Sequence, residues 1–201
     1  MPQGTIYLVA TPIGNLKDMS FRAIEVLKTV DHILCEDTRR SANLFKYYGI
    51  QTKRSSFHDH NKNYKAPVFI KRIQAGENIA LISDAGTPGV SDPGFYLARE
   101  ALKENIAVTA VPGPSAFLSA LVISGLPTDR FVFEGFLPKK PNKRKERLRQ
   151  FINETRTIVF YESPYRINNL LAEIMDVVGD RDICLARELT KIYEQTFRGS
   201  I

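Results

Sequence analysis

The sequence predicts an α/β protein made of two domains, and three patterns support this prediction. Short apolar runs alternate with stretches of helical spacing along most of the chain. Most of these apolar runs end in loops that contain glycine, proline or acidic residues. The stiff turn Val111–Ser115 has two prolines around one glycine and divides the alternation into two sets. Because such alternation is typical of mostly parallel sheets with helices on both faces, we expect α/β domains at residues 1–112 and 113–201.

The first domain is predicted to contain five strands and four helices. In the first helix, Phe21, Ile24 and Leu27 recur at helical spacing and should face the core, with Asp18 or Ser20 as the N-cap. A glycine follows the second helix and the third, which favours helix termination there. The predicted strands are Thr5–Ala10, His32–Cys35, Lys53–His58, Asn78–Ser83 and Ala107–Val111. The predicted helices are Met19–Val30, Ser41–Tyr48, Tyr64–Ala75 and Phe95–Glu104.

The second domain is predicted to continue the same alternation. Its first strand should end before the loop EGFLP, and Ser115 is the expected N-cap of its first helix. The predicted strands are Arg130–Phe133, Thr157–Tyr161 and Ile183–Ala186. The predicted helices are Ala116–Ile123, a basic helix at about Asn142–Asn153, and Pro164–Val178.

Cysteine content and apolar patterning indicate a cytoplasmic protein. Cys35 and Cys184 both lie in apolar, strand-like runs, so we expect buried thiols rather than a disulfide framework. No apolar run approaches the roughly 18–20 residues that a membrane span needs. The first residues, MPQGTIYLVATPIG, lack the basic start and long apolar region of a secretory signal.

The net charge of +6 has a single source. Residues 139–149, the basic segment below, hold seven lysines and arginines and one acid, Glu146, which accounts for the whole excess. A cationic patch of this kind favours partners that carry phosphates, so we expect a nucleic-acid contact here. The alternative is a solvated helix face. The basic side chains are Lys139, Lys140, Lys143, Arg144, Lys145, Arg147 and Arg149.

The loops that follow the predicted strands carry most of the chemistry-bearing residues. Residues 79–94 read IALISDAGTPGVSDPG, a buried strand followed by two Asp-and-Gly turns. Ligands of open parallel sheets bind beyond the carboxyl ends of the strands, so these loops predict a pocket at that edge. The sequence contains no P-loop, no G-x-G-x-x-G and no G-x-S-x-G motif. His58 and His60 are two residues apart and could share a metal on a strand, but a polar loop is favoured and no metal is expected.

Seven of these segments together resemble one family. They read ATPIGNLKD, CEDTR, LISDAGTPGVSDPG, VPGPSA, FEGFLP, FYESPYR and ARELTKIYE, and they extend from about Gly4 to Glu194. They are similar to the ribosomal small-subunit methyltransferase I family, within the tetrapyrrole-methylase-like enzymes that use S-adenosylmethionine (SAM). The resemblance implies two α/β domains of the tetrapyrrole methylase type with the cofactor cleft between them, and a homodimer. It also implies 2′-O-methylation of a cytidine ribose in the decoding region of 16S rRNA, with SAM and without a metal.

The resemblance also assigns binding segments. The superfamily's cofactor-contacting turn corresponds to the turn after the fourth strand, and a second contact follows the interdomain turn. The substrate should lie near the loop at residues 11–15 and near residues 36–40. The implied cofactor-binding residues are Asp84, Gly86, Thr87, Val90, Asp92, Ser115 and Ala116. The implied substrate-binding residues in the two loops are Thr11, Pro12, Gly14, Asn15, Arg39 and Arg40.

Chemical reasoning adds further candidates. A base that accepts the hydroxyl proton would assist methyl transfer to a weak nucleophile, and carboxylates at strand ends are suitable. Asp37, Glu162 and Glu188 are the candidates, and the sequence does not choose among them. Arginines beside them, Arg166 and Arg187, are candidates for holding phosphates of the substrate. From the basic segment, Lys139, Lys140, Lys143, Arg144 and Lys145 are the predicted substrate contacts.

Two other functions remain as alternatives. One is a SAM-dependent methyltransferase that acts on a small tetrapyrrole-like substrate, although a small substrate needs no broad cationic surface. The other is a non-catalytic RNA-binding module, although no RNP-type aromatic strand is visible. Members of the family continue past the position of Ile201, so we expect the second domain to be truncated relative to the family.

Overall fold

The computed structural model describes residues 2–92 and 94–201. The chain separates into two compact units, Met1–Ser115 and Ala116–Ile201, called unit 1 and unit 2 below. The domain boundary drawn after Pro112 from the sequence stays a prediction.

Unit 1 is built on one five-stranded parallel sheet with the strand order β3-β2-β4-β1-β5. All residues of the central strands β2 and β4 are buried, as the continuous apolar runs predict. The strands are β1 (Thr5–Val9), β2 (His32–Cys35), β3 (Arg54–Ser56), β4 (Ile79–Ile82) and β5 (Ala107–Val111). The helices are α1 (Phe21–Thr29), α2 (Ser41–Tyr48), α3 (Lys62–Gln74) and α4 (Gly94–Lys103), with a 3-10 turn at Leu16–Asp18.

The core of unit 1 consists of two apolar clusters, one of which includes α1 and α2 and the other α3 and α4. The prediction that Phe21 faces this core is wrong, because its side chain is 85% exposed. The Ser20 hydroxyl accepts the Ala23 amide and caps α1, so the helix begins at Phe21 and turns Ala23 and Leu27 inward. The prediction failed because residues three apart can lie on either of two adjacent faces of a helix, and the spacing alone does not show which face packs against the core.

Unit 2 contains two separate two-stranded sheets. Strands β6 and β7 are parallel, and β8 and β9 are antiparallel. The strands are β6 (Phe131–Phe136), β7 (Thr157–Tyr161), β8 (Asp182–Arg187) and β9 (Gln195–Ser200). The helices are α5 (Ala116–Ile123), α6 (Pro141–Arg149) and α7 (Ile167–Val177).

Three sequence predictions for unit 2 need correction. Residues 134–136, predicted as a loop, continue β6 across a register shift between Phe133 and Gly135. Gly135 has a φ of +70°. Strand β9 was not predicted, because its polar residues QTFRGS lack an apolar alternation and form a strand only by pairing with β8. Cys184 is half-buried, whereas Cys35 is buried as expected. Within the described part of the chain, no helix is long and apolar enough to cross a membrane.

Candidate functional site

The carboxyl ends of β1 and β4 are joined in unit 1 by an isolated antiparallel bridge between Thr11 and Gly86. The amide of each residue donates to the carbonyl of the other at 2.9 Å. The buried Thr11 hydroxyl also donates to the Ser83 carbonyl at 3.2 Å. The loop at residues 11–15 and the loop after β4 therefore form one connected structure.

The turn after β5 joins the same structure. The Thr87 hydroxyl donates to the Pro114 carbonyl at 3.3 Å. Gly86 has a φ of +81°, and a Cβ added there would lie 3.5 Å from Ile13 and 3.7 Å from the Pro114 carbonyl. These are ordinary van der Waals distances, so a glycine is favoured here by its backbone conformation.

Asp92 organises the second half of the loop after β4. Its Oδ1 accepts the amides of Gly89 at 2.8 Å and Gly94 at 2.6 Å. Burial raises the pKa of this carboxyl, while the two amide donors partly oppose the shift. A Cβ on Gly94 would lie 2.8 Å from both Asp92 Oδ1 and the Gly89 amide nitrogen, so this turn requires a glycine.

Asp84 connects the loop after β4 to the loop after β2. Its Oδ1 accepts the Asp37 amide at 3.0 Å, and its Oδ2 accepts Arg40 Nη1 at 2.9 Å. One carboxylate thereby holds both the backbone and a cation of the neighbouring loop. Residues assigned separately to the cofactor and to the substrate, Asp84 and Arg40, are in direct contact.

The carboxylate of Asp37 is occupied by Arg39. Arg39 donates its amide and its Nε to Asp37 Oδ1, and its Nη2 to Oδ2. These hydrogen bonds lower the pKa of Asp37 to about 2. A carboxylate with so low a pKa is a weak proton acceptor at neutral pH, which argues against the predicted role of Asp37 as general base.

Glu36 occupies a different environment, although it is adjacent in sequence. Desolvation by burial is the largest cause that raises its pKa, and the charge of Asp84 adds to it. The backbone amide of Asp84 partly opposes this rise of the pKa. In the sequence, Glu36 belongs only to the predicted substrate-side segment at residues 36–40, since neither periodicity nor motif separates it from Asp37. A cavity of about 260 Å³ lies here, lined by Glu36, Asp37, Thr38, Arg39, Ser56 and His58.

The remaining candidates of unit 1 lie in the same loops. Asn15 Oδ1 accepts the Lys17 amide at 3.1 Å and caps the 3-10 turn. Val90 is half-buried within the loop after β4. Pro12 and Gly14 are in the loop that carries Thr11. Ser115 is the last residue of unit 1, and Ala116 begins α5 in unit 2.

The candidate acids of unit 2 are engaged in ion pairs. Glu162 follows β7, its side chain is 3% exposed, and it pairs with Arg166. Glu162 Oε1 also accepts the Ser163 amide at 2.6 Å. Glu188 pairs with Lys191 at 2.9 Å and has a φ of +53°. Arg187 ends β8 with an exposed side chain.

Part of the basic segment is structural rather than free. Arg144 is 6% exposed and donates to both carboxylate oxygens of Glu173, at 2.5 and 2.7 Å. The assignment of Arg144 to substrate binding is therefore corrected, because its charge is used inside unit 2. Lys145 pairs with Asp176 at 2.7 Å, and Arg147 pairs with Glu134 at 2.5 Å.

Four other cations of the basic segment are exposed. Among residues 2–92 and 94–201, no carboxylate lies within ion-pair distance of them, so their charges face solvent. They lie in or beside α6, on the same short stretch of chain. They are Lys139, Lys140, Lys143 and Arg149.

The histidine pair lies outside β3, which ends at Ser56. Asn61 Oδ1 accepts the His58 amide at 2.9 Å, and Asn61 Nδ2 lies 3.0 Å from His58 Nε2. These contacts with Asn61 support the interpretation of His58 as part of a polar loop. In the described residues, no group of three or more histidine, cysteine or acidic side chains is arranged to hold a metal ion.

Comparison with known proteins places this arrangement in a family. The family model for Tetrapyrrole (Corrin/Porphyrin) Methylases matches residues 5–201. Ribosomal RNA small subunit methyltransferase I of Pseudomonas aeruginosa is 51% identical over 195 residues, which is 96% of this chain and 69% of that protein. The chain belongs to the ribosomal RNA small subunit methyltransferase I family of tetrapyrrole methylases. Members from Synechocystis and Escherichia coli O157:H7 are 49% and 48% identical over 98% and 96% of this chain, and the chain spans 71% and 68% of their lengths.

Solved structures share the fold of this family member. Uroporphyrin III C-methyl transferase from Thermus thermophilus has a TM-score of 0.66 at 18% identity and covers 98% of this chain and 88% of its own. A cobalt precorrin-4 methyltransferase has a TM-score of 0.68 at 15% identity and covers 98% of this chain and 87% of its own. At these identities the likeness confirms the tetrapyrrole methylase fold that the resemblance implied, and the recognition of the family is confirmed by the closer relatives.

Proposed function

We propose that this protein uses SAM to methylate the 2′-hydroxyl of a cytidine ribose in the decoding region of 16S rRNA. The observation that carries the proposal is the family membership, since relatives named ribosomal RNA small subunit methyltransferase I are 46–51% identical over nearly the whole chain. The tetrapyrrole alternative has weaker support, because the structural neighbours with such substrates in their names are below 20% identical. A non-catalytic module would leave the connected loops of unit 1 without a role.

The loops of unit 1 suit the cofactor chemically. Gly89 is half-buried in the loop after β4 and carries no side chain that would block a ligand, and Asp84 and Asp92 bring carboxylates that can accept hydrogen bonds from hydroxyl or amino groups. When bound, SAM supplies an electrophilic methyl group on a sulfonium sulfur. The residues that would hold it are Asp84, Gly86, Thr87, Val90, Asp92, Ser115 and Ala116.

The protein's contribution to the reaction is mainly positioning. Methyl transfer from a sulfonium requires in-line approach of the hydroxyl oxygen, and rigid orientation can supply much of the rate. The Thr11–Gly86 bridge and the Asp84 contacts hold three loops in fixed register. Arg39 and Arg40 pair with Asp37 and Asp84, but their side chains are 90% and 72% exposed, so both are proposed to contact substrate phosphates. Thr11, Pro12, Gly14 and Asn15 belong to the neighbouring loop proposed for the substrate side.

The RNA partner is proposed to contact the four exposed cations of the basic segment. Serine at Lys139, Lys140, Lys143 and Arg149 should weaken RNA affinity and flatten its salt dependence by about 0.7–0.9 log units per lost phosphate contact. SAM affinity should stay unchanged. Binding to a 16S rRNA fragment is measured at several salt concentrations.

A charge-matched control uses four exposed lysines of unit 1, namely Lys28, Lys46, Lys53 and Lys71. Serine at these positions removes the same charge and should change the salt slope less. If the two quadruple variants showed the same dependence of RNA affinity on salt concentration, the basic segment would be only a solvated helix face and not an RNA contact.

The proposal extends to location and assembly. A ribosomal substrate is met in the cytoplasm, and two free cysteines agree with a reducing compartment. A homodimer is proposed from the resemblance to the family.

Labelled-methyl transfer tests the proposed reaction. We expect label on small ribosomal subunits or 16S rRNA, located at a ribose 2′-oxygen by nuclease digestion and mass spectrometry, and none on a porphyrinoid. Label on the porphyrinoid alone would favour the small-substrate alternative. SAM binding without transfer to either acceptor would contradict both.

A further inference from the structure

One carboxylate lies between the two parts of the candidate site in unit 1. Glu36 directly follows β2, whose last residue Cys35 pairs with Ile82 of β4, so it lies beside the start of the proposed cofactor segment at Asp84. It also precedes the loop that carries Arg39 and Arg40, the proposed substrate cations. Glu36 lines the cavity of about 260 Å³ beside that loop. A group that takes a proton from the acceptor hydroxyl has to lie where donor and acceptor meet, and Glu36 adjoins both the proposed cofactor segment and the proposed substrate segment.

The other candidate bases are bound to cations. Both oxygens of Asp37 accept hydrogen bonds from Arg39. Glu188 is paired with Lys191. The Glu162 side chain is almost fully buried, and one of its oxygens is closed off from solvent.

Glu36 has no ion-pair contact with any cation of the described residues, and Arg40, the nearby arginine, is bound to Asp84 instead. Glu36 and Asp37 are the two candidate carboxylates that line this cavity, and of these two Glu36 is the one without an ion pair to a cation of the described residues.

We propose that Glu36 is the general base of methyl transfer, an inference that rests on the proposed function. In this step the ribose 2′-oxygen forms a bond to the methyl carbon as the sulfur–methyl bond breaks. The electron pair of the broken bond stays on sulfur, which becomes a neutral thioether. The hydroxyl proton passes to a Glu36 carboxylate oxygen and then to solvent. Charge and atoms balance without a metal or a further reactant.

The charged groups around Glu36 favour this role. Asp84 and Asp92 face it from the loop after β4, and both raise its pKa, while Arg40 and the Asp84 amide lower it. Across the cavity lie the Asp37–Arg39 pair and His58. Because desolvation is the dominant cause, the pKa of Glu36 moves towards neutral pH, where a carboxylate is a more effective proton acceptor. The base must be ionised, so activity should fall as the pH falls through this raised pKa.

The test replaces Glu36 by glutamine, which keeps the size and the hydrogen-bonding capacity but not the basicity. Glu36→Gln should lower kcat for subunit methylation about 100-fold or more, with KM for RNA and Kd for SAM within about twofold of wild type. The acid limb of the pH–kcat profile should disappear. Glu36→Asp should recover part of kcat and restore an acid limb.

The matched control is Glu77→Gln. Glu77 precedes β4 and so lies at the opposite edge of the sheet, where it pairs with Arg72. It should keep the wild-type kcat and pH profile. A Glu36→Gln variant that keeps more than about half of the wild-type kcat, or that loses SAM or RNA affinity to the same extent as kcat, would overturn the assignment. No transfer by the wild type would instead overturn the proposed function, and the assignment with it.

Discussion

Asp84→Ala is expected to lower kcat/KM for methyl transfer about 100-fold, because displacement of positioned groups by about 1 Å can cost that much. Asp84 accepts the Asp37 amide at 3.0 Å and Arg40 at 2.9 Å, so its removal releases the loop after β2 from the loop after β4. It also leaves the backbone amide of Asp37 without its acceptor. Steady-state kinetics on small subunits measure the effect, and calorimetry measures SAM affinity separately.

Asp84→Asn separates the two contacts. The amide oxygen can still accept the Asp37 amide, and only the ion pair with Arg40 is lost. Since the Arg40 side chain is 72% exposed, that pair contributes about 0–1 kcal/mol, and we expect a loss of less than about 10-fold.

The structure offers a matched control for Asp84→Ala at the other edge of the same two strands. Asp31, before β2, accepts the Asn78 amide, before β4, at 2.8 Å. Asp31→Ala removes an equivalent connection far from the candidate site and should retain turnover. Equal losses in the two variants would mean that Asp84 acts only through the stability of the sheet.

Arg144→Met is expected to destabilise unit 2 by about 3 kcal/mol, because it leaves the Glu173 charge buried without a partner. The two side chains are 7% and 14% exposed, and Arg144 also donates to the Lys139 carbonyl at 3.2 Å. The guanidinium lowers the pKa of Glu173, and this effect is lost with it. Hydrogen–deuterium exchange of the α6 and α7 amides measures the change.

Lys145→Met is the control on the same helix. Its pair with Asp176 is more exposed, at 37% and 64%, so we expect a much smaller loss of stability than for Arg144→Met. If Arg144→Met increased the hydrogen–deuterium exchange of these amides no more than Lys145→Met does, the buried Arg144–Glu173 pair would not stabilise unit 2 more than an exposed pair. RNA affinity should change little in either variant, in contrast to the exposed cations of the basic segment.

Local sequence patterns were sufficient to predict most of the helices and strands. The run His32–Cys35 and the helix Ser41–Tyr48 were predicted with the bounds that the structure has, because apolar density and a terminal glycine are local signals. Strand β9 was missed because its polar residues become a strand only through pairing with β8. The continuation of β6 to Phe136 depends likewise on its register with β7.

The candidate site shows the same division. Loops at the ends of β1, β2, β4 and β5 were expected to assemble, since the carboxyl ends of parallel strands share one edge. Their composition could not tell Glu36 from Asp37, two neighbouring acids in the segment CEDTR. The difference arises because Arg39 reaches Asp37, while burial and Asp84 act on Glu36.

The amino-acid sequence alone determined the α/β alternation, the family and the segments that carry chemistry, because these depend on residue type and on spacing along the chain. Only the tertiary structure decided which charges are free. Arg144 is buried by a partner 29 residues away, and Asp84 binds Arg40 across 44 residues. The charge that a side chain presents to a substrate depends on burial and on partners distant in sequence, and local patterns do not contain that information.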